Sequence, residues 1–336
     1  MDLERKSLRI GAAVIGCALL LRLLGGSFLG SALQVLGQQE ITSLLLFLET
    51  GRVVRLPQAQ EHTEPPETTP EETVPPPTQQ EEGPVQAVFS PSDAELVSLH
   101  NYCGYDVDIP TMLQQPLEWD LTGDGPTVLI LHTHGTESYT NTENYTESSG
   151  YRTLDTNYNL VSVGDRVAKL LEAGGIQVIH DRSLHDEPSY NGAYTLSRES
   201  VQQYLKQYPT IRLVLDLHRD AIEDSSGKQV GYTLQTDAGT AAKLMLVVGT
   251  DAGGLSHPHW QGNLSLAVKL QAQLEKNHTG ICRPISFRSS RFNQDLSAGA
   301  VLVEVGAAGN TRQEALLAAN ILAEAILDLA HGTAAK

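Results

Sequence analysis

Three apolar runs in this 336-residue chain end in side chains that bind metals or move protons. Residues 127–132 (TVLILH) lead into His132-Thr133-His134-Gly135-Thr136-Glu137, and residues 211–217 (IRLVLDL) lead into His218-Arg219-Asp220. The third run, residues 300–305 (AVLVEV), carries Glu304. Imidazoles and carboxylates delivered in this way suit a zinc hydrolase. Such an enzyme needs three ligands drawn from neutral His and carboxylate, an open fourth position for water, and a separate carboxylate to move protons. Cysteine ligation does not compete, because Cys17, Cys103 and Cys282 form no Cys-x-x-Cys pair and three cysteines build no disulfide framework. A serine nucleophile is disfavoured by the absence of a Gly-x-Ser-x-Gly turn, and a cysteine nucleophile by the settings of Cys103 and Cys282.

For these endings to meet, the runs must be neighbouring strands. The chain supports that from residue 126 onward. Helix-like segments at 157–173, 195–208, 263–277 and 311–329 alternate with strand-like runs at 127–132, 176–180, 211–217, 244–248 and 300–305. Continuous Val, Ile and Leu runs separated by helices mark strands buried on both faces. The expected fold is therefore α/β, an open and mostly parallel sheet with helices on both faces. In such sheets the site forms beyond the carboxyl ends of the strands, where His134, His218 and Glu304 fall. Ser90-Pro91-Ser92-Asp93-Ala94-Glu95 reads as a helix start, and residues 88–120 are expected to pack on the edge of the domain.

The amino-terminal part has a different composition. Residues 10–36 are mostly apolar, carry no charge apart from Arg22 and follow Arg5, Lys6 and Arg9, which predicts a membrane-spanning helix with a cytoplasmic tail at 1–9. A cleaved signal peptide is the competing reading, since Gly30 and Ala32 have cleavage-site spacing; both readings export the rest of the chain. Residues 37–56 read as a juxtamembrane segment too short to span a bilayer. Residues 57–87 read as a disordered linker, since 57–84 hold eight of the sixteen prolines, seven glutamates and no Lys or Arg. The remaining domain, 88–336, belongs to a chain of net charge −17, which disfavours nucleic acid as a partner.

Four motifs resemble the signatures of the stage II sporulation protein P family. They are Leu131-His132-Thr133-His134-Gly135-Thr136-Glu137-Ser138-Tyr139, Asp216-Leu217-His218-Arg219-Asp220, Phe292-Asn293-Gln294-Asp295-Leu296-Ser297 and Val303-Glu304-Val305-Gly306. The resemblance spans residues 125–330. It implies a zinc-dependent N-acetylmuramoyl-L-alanine amidase that cleaves the amide between muramic acid and the stem peptide of peptidoglycan, with added endopeptidase activity on cross-links. It also implies a single-pass anchor in the septal and engulfing membranes during endospore formation, beside a membrane partner and a lytic transglycosylase.

Carried over to this sequence, the resemblance makes His134 and His218 zinc ligands and Glu304 the proton-transferring carboxylate. Glu137 is the favoured third ligand, with Asp155 as its rival, and whichever does not bind is expected to orient a ligand His. His132 competes with His134, because residues two apart in an extended strand share a face. Asn293, Gln294 and Asp295 are read as a substrate-contacting loop, or as a turn that only shapes it. Arg219 and Arg291 are candidates for holding substrate carboxylates, or for salt bridges. His257 and His259 have metal-like spacing but read as solvated loop residues. A zinc carboxypeptidase acting on peptide termini would share the ligands, and a non-catalytic peptidoglycan-binding scaffold would have lost one of them.

Overall fold

In a computed structural model, the described residues are 88–117, 120–140 and 150–332, all within the unit from Gln79 to Lys336. The expected tail, membrane helix, juxtamembrane segment and linker lie outside them. Among the described residues no helix is long and apolar enough to cross a membrane.

The three apolar runs pair side by side. Strands β2 (Val128–Leu131), β4 (Leu213–Asp220) and β9 (Ala300–Ala307) are parallel neighbours at the centre of a seven-stranded sheet, with β3 (Val178–His180) outside β2. The other side of β9 holds β7 (Leu244–Gly249), β8 (Ile285–Arg288) and β1 (Leu99–Asn101), giving the order β1-β8-β7-β9-β4-β2-β3. β7 is antiparallel to β9, whereas β8 and β1 run parallel to β7. The reversal follows from the short antiparallel hairpin β5 (Thr233–Thr236) and β6 (Gly239–Ala242), which leads into β7 through Lys243 alone.

Helices α2 (Leu160–Ala173), α4 (Trp260–Asn277) and α5 (Arg312–His331) cover one face of the sheet and form the main core. Local chemistry sets their starts. Asn159 caps α2 by accepting from the Val161 amide, which moves the start inward from the expected residue 157. Thr311 and Glu314 close a capping box on α5. Short α1 (Ile109–Gln114) packs against α4.

Helices lie on both faces, but the second face carries fewer. Only α3 (Ala193–Gln207) packs there, and it makes a small cluster with Leu129, Leu131, Val214 and Ala300. Beyond α3 no helix among the described residues covers that face over β7, β8 and β1, although Val247 and Ser286 on it are buried. The described residues of this amino-terminal stretch include the sheet edge: a 3-10 turn, Pro91–Leu96, with Ser90 and Asp93 in a capping box, precedes the edge strand β1.

Candidate functional site

His134 sits in the turn that follows β2, His218 lies within β4, and Glu304 is the register partner of His218 on β9. Parallel pairing of these strands brings three sequence-distant residues to one edge. The rings of His134 and His218 have centroids 5.3 Å apart and stand nearly perpendicular at 84°. Glu137, in the turn after His134, directs Oε2 to within 3.7 Å of His218 Nδ1. These four residues line one cavity of about 510 Å³.

Charged neighbours fix each member. Arg219 donates its backbone amide to Glu137 Oε2 at 3.2 Å and approaches Oε1 with its guanidinium at 3.4 Å. Its Nε and a terminal nitrogen donate to the carbonyls of Ser138 and Tyr151, each at 3.0 Å. Arg219 is 6% exposed, so it acts as a clamp on the Glu137 turn. Asp216, two residues before His218 on the same face of β4, accepts from Thr133 through both its backbone amide (2.8 Å) and its hydroxyl (2.6 Å). Its Oδ1 lies 3.1 Å from His218 Nε2, off the line of a hydrogen bond. On the other side, Tyr190 stacks on the His134 ring at 4.1 Å, and Asp186 stands 4.0 Å from His134 Nδ1.

Electrostatics divides the imidazoles. Burial and the nearby His218 push His134 down to about 4, so it is neutral and able to ligate. Burial also opposes charge on His218, but Asp216, Glu137 and Glu304 overcome it and raise its pKa to about 9. Burial raises Glu304 to about 8; His218 opposes that rise and Glu137 reinforces it. Buried His134 Nδ1, His218 Nε2 and Glu304 Oε2 have no hydrogen-bond partner among the described residues. Three orphaned buried polar atoms around one cavity are costly unless something else engages them. Two imidazoles and a carboxylate form a donor set suited to zinc. Among the described residues no group of three or more His, Cys, Asp or Glu side chains is placed to hold a metal ion, so the fit to zinc rests on donor chemistry and orphaned atoms.

Other candidates fall elsewhere. The expectation that His132 shares a face with His134 fails because β2 ends at Leu131 and the chain turns, so the alternation of a strand no longer applies. The His132 ring turns toward β3 instead, with Nε2 2.9 Å from His180 Nε2 and Nδ1 3.2 Å from the Leu217 carbonyl. Gly164 on α2 makes room for both rings, since a Cβ there would stand 2.5 Å from His180 and 2.6 Å from His132. Asp155 is exposed and accepts from the Asn157 amide at 2.9 Å, outside the cavity.

The Asn293-Gln294-Asp295 loop is a brace. Gln294 bonds the Gly249 amide and the Val247 carbonyl, both at 2.8 Å; Asn293 donates to Tyr194 O at 2.7 Å; and Asp295 forms a bidentate pair with Arg198. Arg291 reaches Asp295 at 3.4 Å. The brace holds Phe292, at φ 50°, against the cavity beside Tyr194. His257 is 1% exposed, contrary to a solvated loop residue, because its loop folds it toward Asp295 and Arg291.

Sequence reasoning did not assign Asp216, Asp186, Arg152 or Tyr190. Asp216 has a signal, a carboxylate two residues from a site His inside a buried strand. Asp186, which pairs with Arg152 at 2.8 Å, comes from an irregular loop that no periodicity marks.

Stage II sporulation protein P of Bacillus subtilis (strain 168) is 28% identical over 220 residues, which is 62% of this chain. The match spans about half, 52%, of that relative. Similar solved structures include N-acetylmuramoyl-L-alanine amidase AmiC2 of Nostoc punctiforme, with 17% identity and TM-score 0.37, covering 61% of this chain and 98% of that one. The CwlD amidase from Clostridioides difficile, in complex with the GerS lipoprotein, has 16% identity and TM-score 0.39, covering 60% and 94%. The family description "Stage II sporulation protein P (SpoIIP)" matches residues 39–327, well over half of the sequence. The chain belongs to the stage II sporulation protein P family.

Proposed function

We propose that this sporulation-family chain is a zinc-dependent peptidoglycan hydrolase that cleaves the amide between muramic acid and L-alanine during endospore engulfment. The observation that supports this most directly is the meeting of His134, His218, Glu137 and Glu304 in one cavity with three buried polar atoms left without partners. His134, His218 and Glu137 would hold the zinc, which when bound supplies a Lewis acid to polarise the scissile carbonyl. Glu304 takes a proton from the attacking water and returns it to the leaving amine nitrogen. Its elevated pKa suits a group that must hold that proton between the two transfers. Asp216 orients the His218 ring, Arg219 and Arg152 orient Glu137, and Tyr190 and Tyr194 shield the His134 side from water.

The domain from residue 88 is expected to bind about one zinc ion per chain and to lose activity on a muramoyl-peptide substrate when treated with a chelator. An active, chelator-resistant preparation without metal by elemental analysis would refute the zinc mechanism. Hydrolysis of unmodified peptide termini, with muramoyl amides left intact, would favour the carboxypeptidase alternative.

The proposal includes the anchor at 10–36 and the linker at 57–87. The 28 Pro-rich residues at 57–84 would reach, at about 3.1 Å each, at most roughly 85 to 90 Å, enough to carry the hydrolase into the adjacent wall while holding it near its own membrane. With the amino terminus inside, a membrane protein and a lytic transglycosylase beside it would work on the same wall. A reporter active only in the cytoplasm, fused after Lys336, is expected to stay silent; an active fusion would overturn this orientation.

A further inference from the structure

The half of the sheet without a covering helix on this face continues the cavity away from the reacting groups. Register partners show how. His218 pairs with Glu304, Glu304 with Met245, Leu302 with Val247, Val247 with Ser286, and Ser286 with His100. Partners in register project to the same side of a sheet, so these residues form one continuous floor that crosses β4, β9, β7, β8 and β1. The floor is apolar in the middle, at Met245, Val247 and Leu302, and all of these residues line the same cavity as His134. At its far end stand His100 and Tyr102 from the β1 edge, and Arg288 at the end of β8.

The three arginines that line this cavity are not equivalent. Arg219 is clamped on Glu137, and Arg283 pairs with Asp220 at 2.7 Å. Arg288 is exposed and pairs with no carboxylate among the described residues; its guanidinium lies 5.0 Å over the Tyr102 ring. Stacking on an aromatic face fixes the plane of the guanidinium and leaves its edge free for a bidentate acceptor. In a chain of net charge −17, an oriented cation without a carboxylate partner in a cavity is a site of opposite sign to its surroundings. The His134 end, by contrast, is walled by the aromatic rings of Tyr190, Tyr194 and Phe292.

We infer that Arg288, oriented by Tyr102 and assisted by His100, binds a carboxylate carried by the peptide part of the substrate. The inference deepens the amidase reading and rests on it for the identity of the substrate. Arg288 stands two strands across and four register positions along from Glu304, roughly 16 Å between backbone positions at ordinary sheet spacings. The reach of the guanidinium shortens that span to what about three or four extended residues cover at roughly 3.3 Å each. The peptide therefore lies along the cavity over these strands, its apolar side chains on Met245, Val247 and Leu302, with its anionic portion at the β1 edge. This gives the segment before residue 120 a task, since β1 supplies the far wall.

The test uses the full chain with zinc and two substrates, a muramoyl tetrapeptide with free carboxylates and the same compound with the carboxylates converted to carboxamides. The wild type is expected to prefer the free acid through KM. Arg288→Gln is expected to lose about tenfold or more in kcat/KM on the free acid, the size of a hydrogen bond to a charged group, and less than twofold on the amide form. Arg288→Lys should keep part of the preference, because it keeps the charge and loses the fork. Equal loss on both substrates, or an unchanged preference, would overturn the assignment. Calorimetric binding of the two compounds is measured in parallel. If the wild type hydrolyses neither, the amidase reading fails, while a preference for the free acid in binding that Arg288→Gln removes still upholds the carboxylate site. Binding without that preference sinks it. Arg288 is exposed and has no ion-pair partner, so melting temperatures should coincide.

Discussion

Glu304→Gln is expected to lower turnover of a muramoyl peptide by about 10²- to 10⁴-fold while leaving zinc content unchanged, and His218→Ala to lower both. Glu304 lies on β9 opposite His218, fully inside the sheet framework, and its Oε2 has no hydrogen-bond partner. Glutamine keeps the volume of the side chain and removes its ability to take a proton. Burial and Glu137 hold the Glu304 pKa near 8 against the pull of His218, so an uncharged isostere at this position should fold without loss. His218 is different. Its ring belongs to the proposed donor set and leans on Asp216 at 3.1 Å, so Ala removes a donor and leaves a buried carboxylate beside Thr133 without its partner. Metal analysis, melting temperature and rate, taken together on both variants, separate the roles. A near-normal rate in Glu304→Gln would remove this residue from the mechanism.

How much of this arrangement the sequence made legible depended on burial. β2, β4 and β9 are continuous apolar runs because both of their faces are covered near the centre of the sheet, and runs of that kind can be read without a partner. His134, His218 and Glu304 were legible for the same reason, as polar residues in or directly after buried strands. β8 and β1 were not, since Ile285–Arg288 is short and ends exposed, and Leu99–Asn101 is a half-exposed edge. Their parallel alignment with β7 is a tertiary fact. Helices cover both faces as expected, but the single helix on the second face stops short of those strands, and the groove lies there. His132 was a rival to His134 only while the strand was taken to continue; one turn at its end sends the two rings apart. Glu137 was favoured over Asp155 in sequence, and the fold sets them further apart, one exposed on its own Asx turn and the other clamped 3.7 Å from His218.

Arg219 yields the other large effect expected. Arg219→Ala should destabilise the domain by about 3 to 5 kcal/mol, the usual cost of removing one member of a buried ion pair. At about 2 to 4 °C per kcal/mol for a domain of this size, that corresponds to a fall in melting temperature of roughly 6 to 20 °C. The size follows from what remains after truncation. Glu137 loses its guanidinium partner in a site 5% exposed, and the carbonyls of Ser138 and Tyr151 lose donors at 3.0 Å. Glu137 is then free to swing from its place 3.7 Å from His218, so zinc affinity should fall about 10- to 100-fold as well. Arg219→Lys should recover little, because one ammonium cannot reach a carboxylate and two divergent carbonyls as a planar fork does. The alternative task for this residue, holding a substrate carboxylate, makes a different pattern: a raised KM with melting temperature and zinc affinity unchanged. A variant with that pattern would move Arg219 from the scaffold of the site into its substrate contacts, and would leave the Glu137 turn to be held by Arg152 alone, at 3.7 Å and from a more exposed position.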